Sequence, residues 1–249
     1  MWSPETLLIV GATFVFAGLV KGVVGLGLPA ISLAILTATI GLIEAMAIML
    51  IPALATNVWQ ALAGPGTLVL LRRLWPFLTA SVAGTWMAVG ILAKSDTILL
   101  SGLLGLLLAM YSMYGLVAPR IPSPGRHEIW AGPVIGIFAG GAAGLTGSFI
   151  MPGGIFLQAL GLPPAMMIKA LGISFTLAAV TLGLALKDRS LLPTDLLGLS
   201  MLAVVPSFAG MFIGQKIRMR LDPVRFRRVF FAALLVFGIY LIAKAYLTF

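Results

Sequence analysis

Lys21 and Lys169 stand inside long apolar runs. A cation there is expensive, and such residues mark substrate or ion pathways. Lys21 lies just before the Gly-x-Gly of Gly25, Leu26 and Gly27, and Pro29 follows at once. A second cluster, Thr146-Gly147-Ser148, precedes Pro152, Gly153 and Gly154. Glycine lets backbone N–H groups approach a ligand. Short helices restarting near Pro29 and Pro152 would point N-terminal amides and a positive dipole end at it. This chemistry holds an anion. Lys21 would supply charge, and Gly25, Gly27, Leu28, Gly147 and Ser148 backbone N–H groups. Thr146, Asn57 and Lys169 would add donors. Asn57 and Gln60 face similar directions on one helix. Lys169 shares a partly polar face with Thr176. The bland alternatives are a lysine snorkelling to an interface and glycines that only let helices cross closely. Glu44 fits a helix start, where the dipole favours a carboxylate.

Catalytic constellations are absent from the sequence. There is no HExxH, GxSxG or Walker loop, and no cysteine. No metal, cofactor or enzymatic activity is expected. The single His127 lies in a polar linker.

The elements that position these residues are apolar helices. Of 249 residues, 61% are hydrophobic and 9% charged, with a mean hydropathy of +1.14. That composition excludes a soluble domain and places the chain in the lipid bilayer. Long runs are expected at 6–24, 43–62, 74–93, 97–117, 129–143, 165–186, 191–213 and 229–247. Short runs follow each glycine break at 28–40 and 155–160. Thirteen residues cover roughly 20 Å, less than the ~30 Å hydrocarbon core. The fold class is therefore an all-α integral membrane protein. It has about eight long spans and ten segments, four long helices and one short broken helix in each half.

The halves are residues 1–117 and 129–249, joined by a polar linker at 118–128. Gly18, Gly22 and Gly25 match Gly140, Gly144 and Gly147 at an offset of 122. Gly84 and Asp96 match Gly210 and Asp222 at an offset of 126. This pattern reads as an internal duplication. Four crossings per half would divide the loop cations equally. Five per half put Arg72, Arg73, Arg120, Arg126 and the six cations of 216–228 on one side. Lys94, Lys187, Arg189 and Lys244 fall on the other, ten against four. The second arrangement obeys the positive-inside rule. An odd number of crossings makes the halves inverted repeats, as in secondary transporters with broken helices. Both termini are then expected outside. The opening segment carries Glu5 and no Lys or Arg, so it lacks the basic start of a signal peptide. The net charge of +9 is accounted for by these loops, and nucleic acid is not an expected partner.

The pattern GLVKGVVGLGLPAIS, its weaker copy GLTGSFIMPGG after the linker, and the eight apolar runs resemble the sulfite exporter TauE/SafE family. That family is also called the 4-toluene sulfonate uptake permease family. The resemblance implies a carrier of the bacterial inner membrane for sulfite or organosulfonates such as sulfoacetate. The substrate would be a small anion, tetrahedral or nearly so at sulfur, held at the two breaks during alternating access. A coupling proton or ion and the oligomeric state stay open. So do the alternatives of an anion channel and of a membrane subunit in a sulfur-metabolism complex. Phe149 stands where the first break has Gly27, so the two breaks are not expected to be identical.

Overall fold

The computed structural model describes residues 2–63, 66–117, 122–218, 220 and 222–248. Eight of its helices are long and apolar enough to cross a membrane, and two shorter apolar helices follow the breaks. Among the described residues there is no strand.

Local sequence sets the helix ends. Helix α1, Pro4–Val24, starts on Ser3, whose Oγ accepts from the Thr6 N–H, with Pro4 in the first turn. Gly25 closes it at φ 87°. Helix α2 is Leu28–Thr39 and α3 is Leu42–Leu62, with Pro52 inside. Helix α4, Thr67–Leu92, follows Gly66. Helix α5 is Thr97–Val117, and Asp96 caps it by accepting from the Ile98 N–H. Helix α6, Glu128–Thr146, ends on Gly147 at φ 76°. A kinked segment over Ile150–Gly154, with Met151 extended at φ −118° and ψ 119°, leads into the short α7, Ile155–Ala159. Helix α8 is Pro164–Asp188. Helices α9, Leu197–Leu202, and α10, Val204–Arg218, are two parts of one span bent at Ala203. Helix α11 is Pro223–Thr248. Asp222 caps it as Asp96 caps α5.

Several boundaries differ from the sequence reading. Arg72 and Arg73 sit inside α4, not in front of it, because arginine is a good helix former and Gly66 starts the helix earlier. The basic stretch 215–228 is mostly helical. Lys216 and Arg218 end α10, and Arg225, Arg227 and Arg228 open α11. The linker 118–128 lies partly outside the described residues, and its end forms a 3₁₀ turn over Gly125–His127. Gly64 and Pro65, which with Gly66 read from the sequence as a turn, also lie outside them. The breaks are narrower than the 22–29 and 144–154 that the glycine runs suggest, because Gly22 and Gly144 sit within helices and pack them together.

The helices form two compact units, each drawing on both sequence halves. The first comprises Met1–Pro52, Asp96–Pro119 and Pro193–Phe249. Its α1 lies parallel to α10 at very close range. A Cβ on Gly18 would strike the Ser207 carbonyl, one on Gly22 that of Met211, and one on Gly210 that of Val15. Only glycine permits such an approach. Helix α5 lies antiparallel to α11: Gly102 faces Ala245, Gly105 faces Leu241, and the Tyr111 and Phe231 rings meet edge to face. Helix α2 runs alongside α11, from Gly27 near Phe230 to Ala38, whose carbonyl accepts from Lys244 Nζ.

The second unit comprises Ala53–Ser95 and Arg120–Leu192. Here α4 lies parallel to α6. A Cβ on Gly140 would strike the Ser81 carbonyl, one on Gly144 that of Thr85, and one on Gly84 that of Ile137. The offset of 122 carries Val15, Gly18 and Gly22 onto Ile137, Gly140 and Gly144. The offset of 126 carries Ser81, Gly84 and Thr85 onto Ser207, Gly210 and Met211. The two seams thus use corresponding residues, with the partners exchanged between halves.

Candidate anion-binding breaks

In the first unit the break is three residues long, Gly25, Leu26 and Gly27. The Gly25 N–H donates to the Lys21 carbonyl at 2.7 Å and so closes α1. Gly27, at φ 111°, turns the chain into α2 without a side-chain cap. A side chain at either φ would be strained. The first helical bond of α2 runs from the Ile31 N–H to the Gly27 carbonyl. The Leu28 and Ala30 amides therefore stand outside the helical ladder, and Pro29 has no amide. Lys21 lies one turn before this point and is 2% exposed. Lys21, Gly25, Gly27 and Leu28 are thus gathered in one buried corner of the first unit.

In the second unit Gly147, Ser148 and Phe149 form the break, directly after Thr146 at the end of α6. The Gly147 N–H closes α6 by donating to the Ala143 carbonyl at 2.8 Å. Thr146 Oγ1 donates to the Ala142 carbonyl at 2.7 Å and accepts from the Ser148 N–H at 3.3 Å. The amides of Gly25, Gly147 and Ser148, read from sequence as ligand donors, are engaged within the chain in this conformation. The Ser148 side chain is not. Its Oγ is buried and makes no hydrogen bond to a described residue.

Helix α8 flanks this second break. Phe175 on α8 packs edge-on against Phe149 at 5.4 Å, and Phe149 packs against Phe77 at 5.8 Å. Phe149 is therefore a wall residue and takes φ −84°, not the left-handed turn of Gly27. Lys169 on α8 is 2% exposed, and its Nζ donates to Thr67 Oγ1 at 2.7 Å. Gly172, one turn on, lies against the Gln60–Ala61 backbone. This contact packs the end of α3, with buried Asn57 and Gln60, onto α8. Thr67 and the aromatic wall were not singled out from sequence. Thr67 directly follows the sequence Gly64-Pro65-Gly66, a signal too weak to assign a partner 102 residues away.

Among the described residues, the buried charged side chains are Lys21 and Lys169, and no Asp or Glu is buried. Glu44 lies in the first turn of α3, with its carboxylate over Gly41. No group of three or more His, Cys, Asp or Glu is placed to hold a metal among these residues.

The model of one family, Sulfite exporter TauE/SafE, matches residues 10–241. Comparison with curated proteins and with solved structures gives no match. A match over nearly the whole chain, on eight apolar spans with two broken segments, identifies a multi-span membrane transporter and not an enzyme. The chain belongs to the sulfite exporter TauE/SafE family, membrane transporters of sulfur-containing anions.

Proposed function

We propose that the protein is a secondary carrier of sulfite or a small organosulfonate such as sulfoacetate, working by alternating access in the bacterial inner membrane. The observation that carries this reading is the buried Ser148 hydroxyl at the second break, which has no hydrogen bond to a described residue. A buried hydroxyl without a partner is costly, and a sulfur oxyanion would accept a hydrogen bond from it. In the first unit, buried Lys21 with the Leu28 and Ala30 amides would meet the same kind of ligand. Lys169 and Asn57 would serve the second break, while Thr146, whose one hydroxyl proton goes to the Ala142 carbonyl, holds the Ser148 amide. A proton or other ion would provide the coupling.

We further propose ten crossings, with both short helices counted and both termini outside. Helix directions within the first unit support this count. Helices α5 and α11 run antiparallel. Three long spans lie between them in the chain, which would make them parallel unless the Ile150–Ala159 segment also crosses. Helix α2 runs back from the end of α1 beside α11. Each half then makes five crossings, and residues 1–117 and 129–249 become inverted repeats. The matching glycine seams support that duplication.

The test is thermal-shift binding of sulfite, sulfate, sulfoacetate, taurine and chloride to purified protein and to Ser148→Ala. A ligand well above Kd stabilises the folded state. One sulfur anion should stabilise the wild type. Ser148→Ala should bind it roughly tenfold or more weakly, the scale of one hydrogen bond to a charged group, with unchanged stability of the ligand-free protein. Equal binding by both proteins would overturn the assignment of Ser148.

A further inference from the structure

A second cationic feature lies in the second unit, apart from the break. At the N-terminal ends of α4 and α6 a pocket of about 470 Å³ is lined by Arg72, Arg73, Trp75, Arg126, Glu128 and Phe156. Arg73 is already committed. Its Nε and Nη2 each donate to a Glu128 carboxylate oxygen at 2.7 Å, and Nη2 also reaches the Leu160 carbonyl. Arg72 and Arg126 are exposed and make no ion pair among the described residues. The pocket therefore presents two guanidinium groups to the outside, beside a neutralised pair. The rest of its wall is apolar.

Its depth suits a lipid headgroup. The 26 residues of α4 span roughly 39 Å against a hydrocarbon core of ~30 Å. Arg72, the sixth residue, then falls near the boundary, from which its side chain can reach the headgroups. Trp75 and Trp130 are 61% and 79% exposed, as residues of an interfacial aromatic belt are. A free anion would need neither exposed indoles nor an apolar wall.

We propose that this pocket binds an anionic phospholipid, with Arg72 and Arg126 on the headgroup phosphate and Trp75 and Phe156 along the glycerol and first acyl carbons. Arg73 and Glu128 are positioning residues that hold the two helix ends together. Arginine on phosphate forms charge-assisted, often bidentate hydrogen bonds, and basic pockets between membrane helices take anionic headgroups.

Native mass spectrometry of the detergent-purified protein, titrated with phosphatidylglycerol or phosphatidylcholine, tests this. Wild type should retain phosphatidylglycerol in preference to phosphatidylcholine. At about a fivefold effect per surface arginine, Arg126→Gln should weaken the adduct roughly fivefold and Arg72→Gln/Arg126→Gln roughly thirtyfold. Lys216→Gln/Arg218→Gln, which removes two charges elsewhere, should leave it unchanged. Arg126 lies in a surface turn, so its single variant tests the site even if the double variant misfolds. Three results would overturn the proposal. These are equal retention of the two lipids, equal loss in the Lys216/Arg218 control, or displacement by inorganic phosphate at the concentration of the lipid.

Discussion

The Ser200 hydroxyl donates to the Ile48 carbonyl at 2.7 Å. That carbonyl would ordinarily accept from the amide four residues on, but residue 52 is proline and has none. Ser200 Oγ also accepts from the Ile51 N–H at 3.2 Å. One hydroxyl thus mends the ladder of α3 at its proline, as neighbouring serines do for broken membrane helices. Ser200→Ala should lower stability by about 1–2 kcal/mol. Pro52→Ala returns an amide to Ile48, so Ser200→Ala should cost much less in that background. Thermal unfolding of the four proteins closes the cycle. Additive effects would contradict this role for Ser200.

Neighbouring glycines in α6 should respond in opposite ways. A Cβ on Gly140 would collide with the Ser81 carbonyl, whereas one on Gly141 meets nothing within 4 Å. Gly140→Ala must push α4 and α6 apart and should destabilise by about 1–3 kcal/mol or more. Gly141→Ala should be neutral or stabilise by roughly 0.5–1 kcal/mol, since alanine favours the helix. Gly18→Ala should behave like Gly140→Ala, because the α1–α10 seam uses the corresponding contact. Unfolding temperatures in detergent decide the matter.

The Lys169–Thr67 bond joins a buried lysine to the exposed first residue of α4 and is itself part-buried. Thr67→Val keeps the shape and removes the acceptor, and should destabilise by about 1–2 kcal/mol. Thr67→Ser should retain most of that stability. Equal stability of the two variants would show that the bond contributes little.

The Arg73–Glu128 pair is bidentate but accessible, with side chains 38% and 18% exposed. Glu128→Gln should cost under about 1 kcal/mol at low salt. At 1 M salt the difference from wild type should largely vanish, because the Debye length falls to about 3 Å. A loss that persisted there would point to a buried role for the pair.

The breaks were legible because left-handed turns demand glycine, and Gly25, Gly27 and Gly147 adopt them. The same residue type hid the other role. Gly18, Gly22, Gly140 and Gly144 sit in unbroken helix and admit a partner's carbonyl, and sequence gives both kinds of glycine the same letter. The long spans could be read from hydropathy. Which helices pair could not, since Gly18 with Ser207 and Lys169 with Thr67 are contacts between distant parts of the chain. The burial of Lys169 was likewise illegible without its partner helix, and Arg72–Arg73 looked like a loop only because charge masks helix propensity.

Counterflow in proteoliposomes tests the carrier reading most directly. Vesicles loaded with unlabelled sulfite are diluted into a trace of ³⁵S-labelled sulfite, with sulfoacetate and chloride run in parallel. A carrier should give a transient internal excess of label that Ser148→Ala and Lys21→Ala strongly reduce. Label that only equilibrates, without an excess, would contradict the carrier and indicate a channel. No protein-dependent movement of any sulfur anion, from folded protein, would contradict the account altogether.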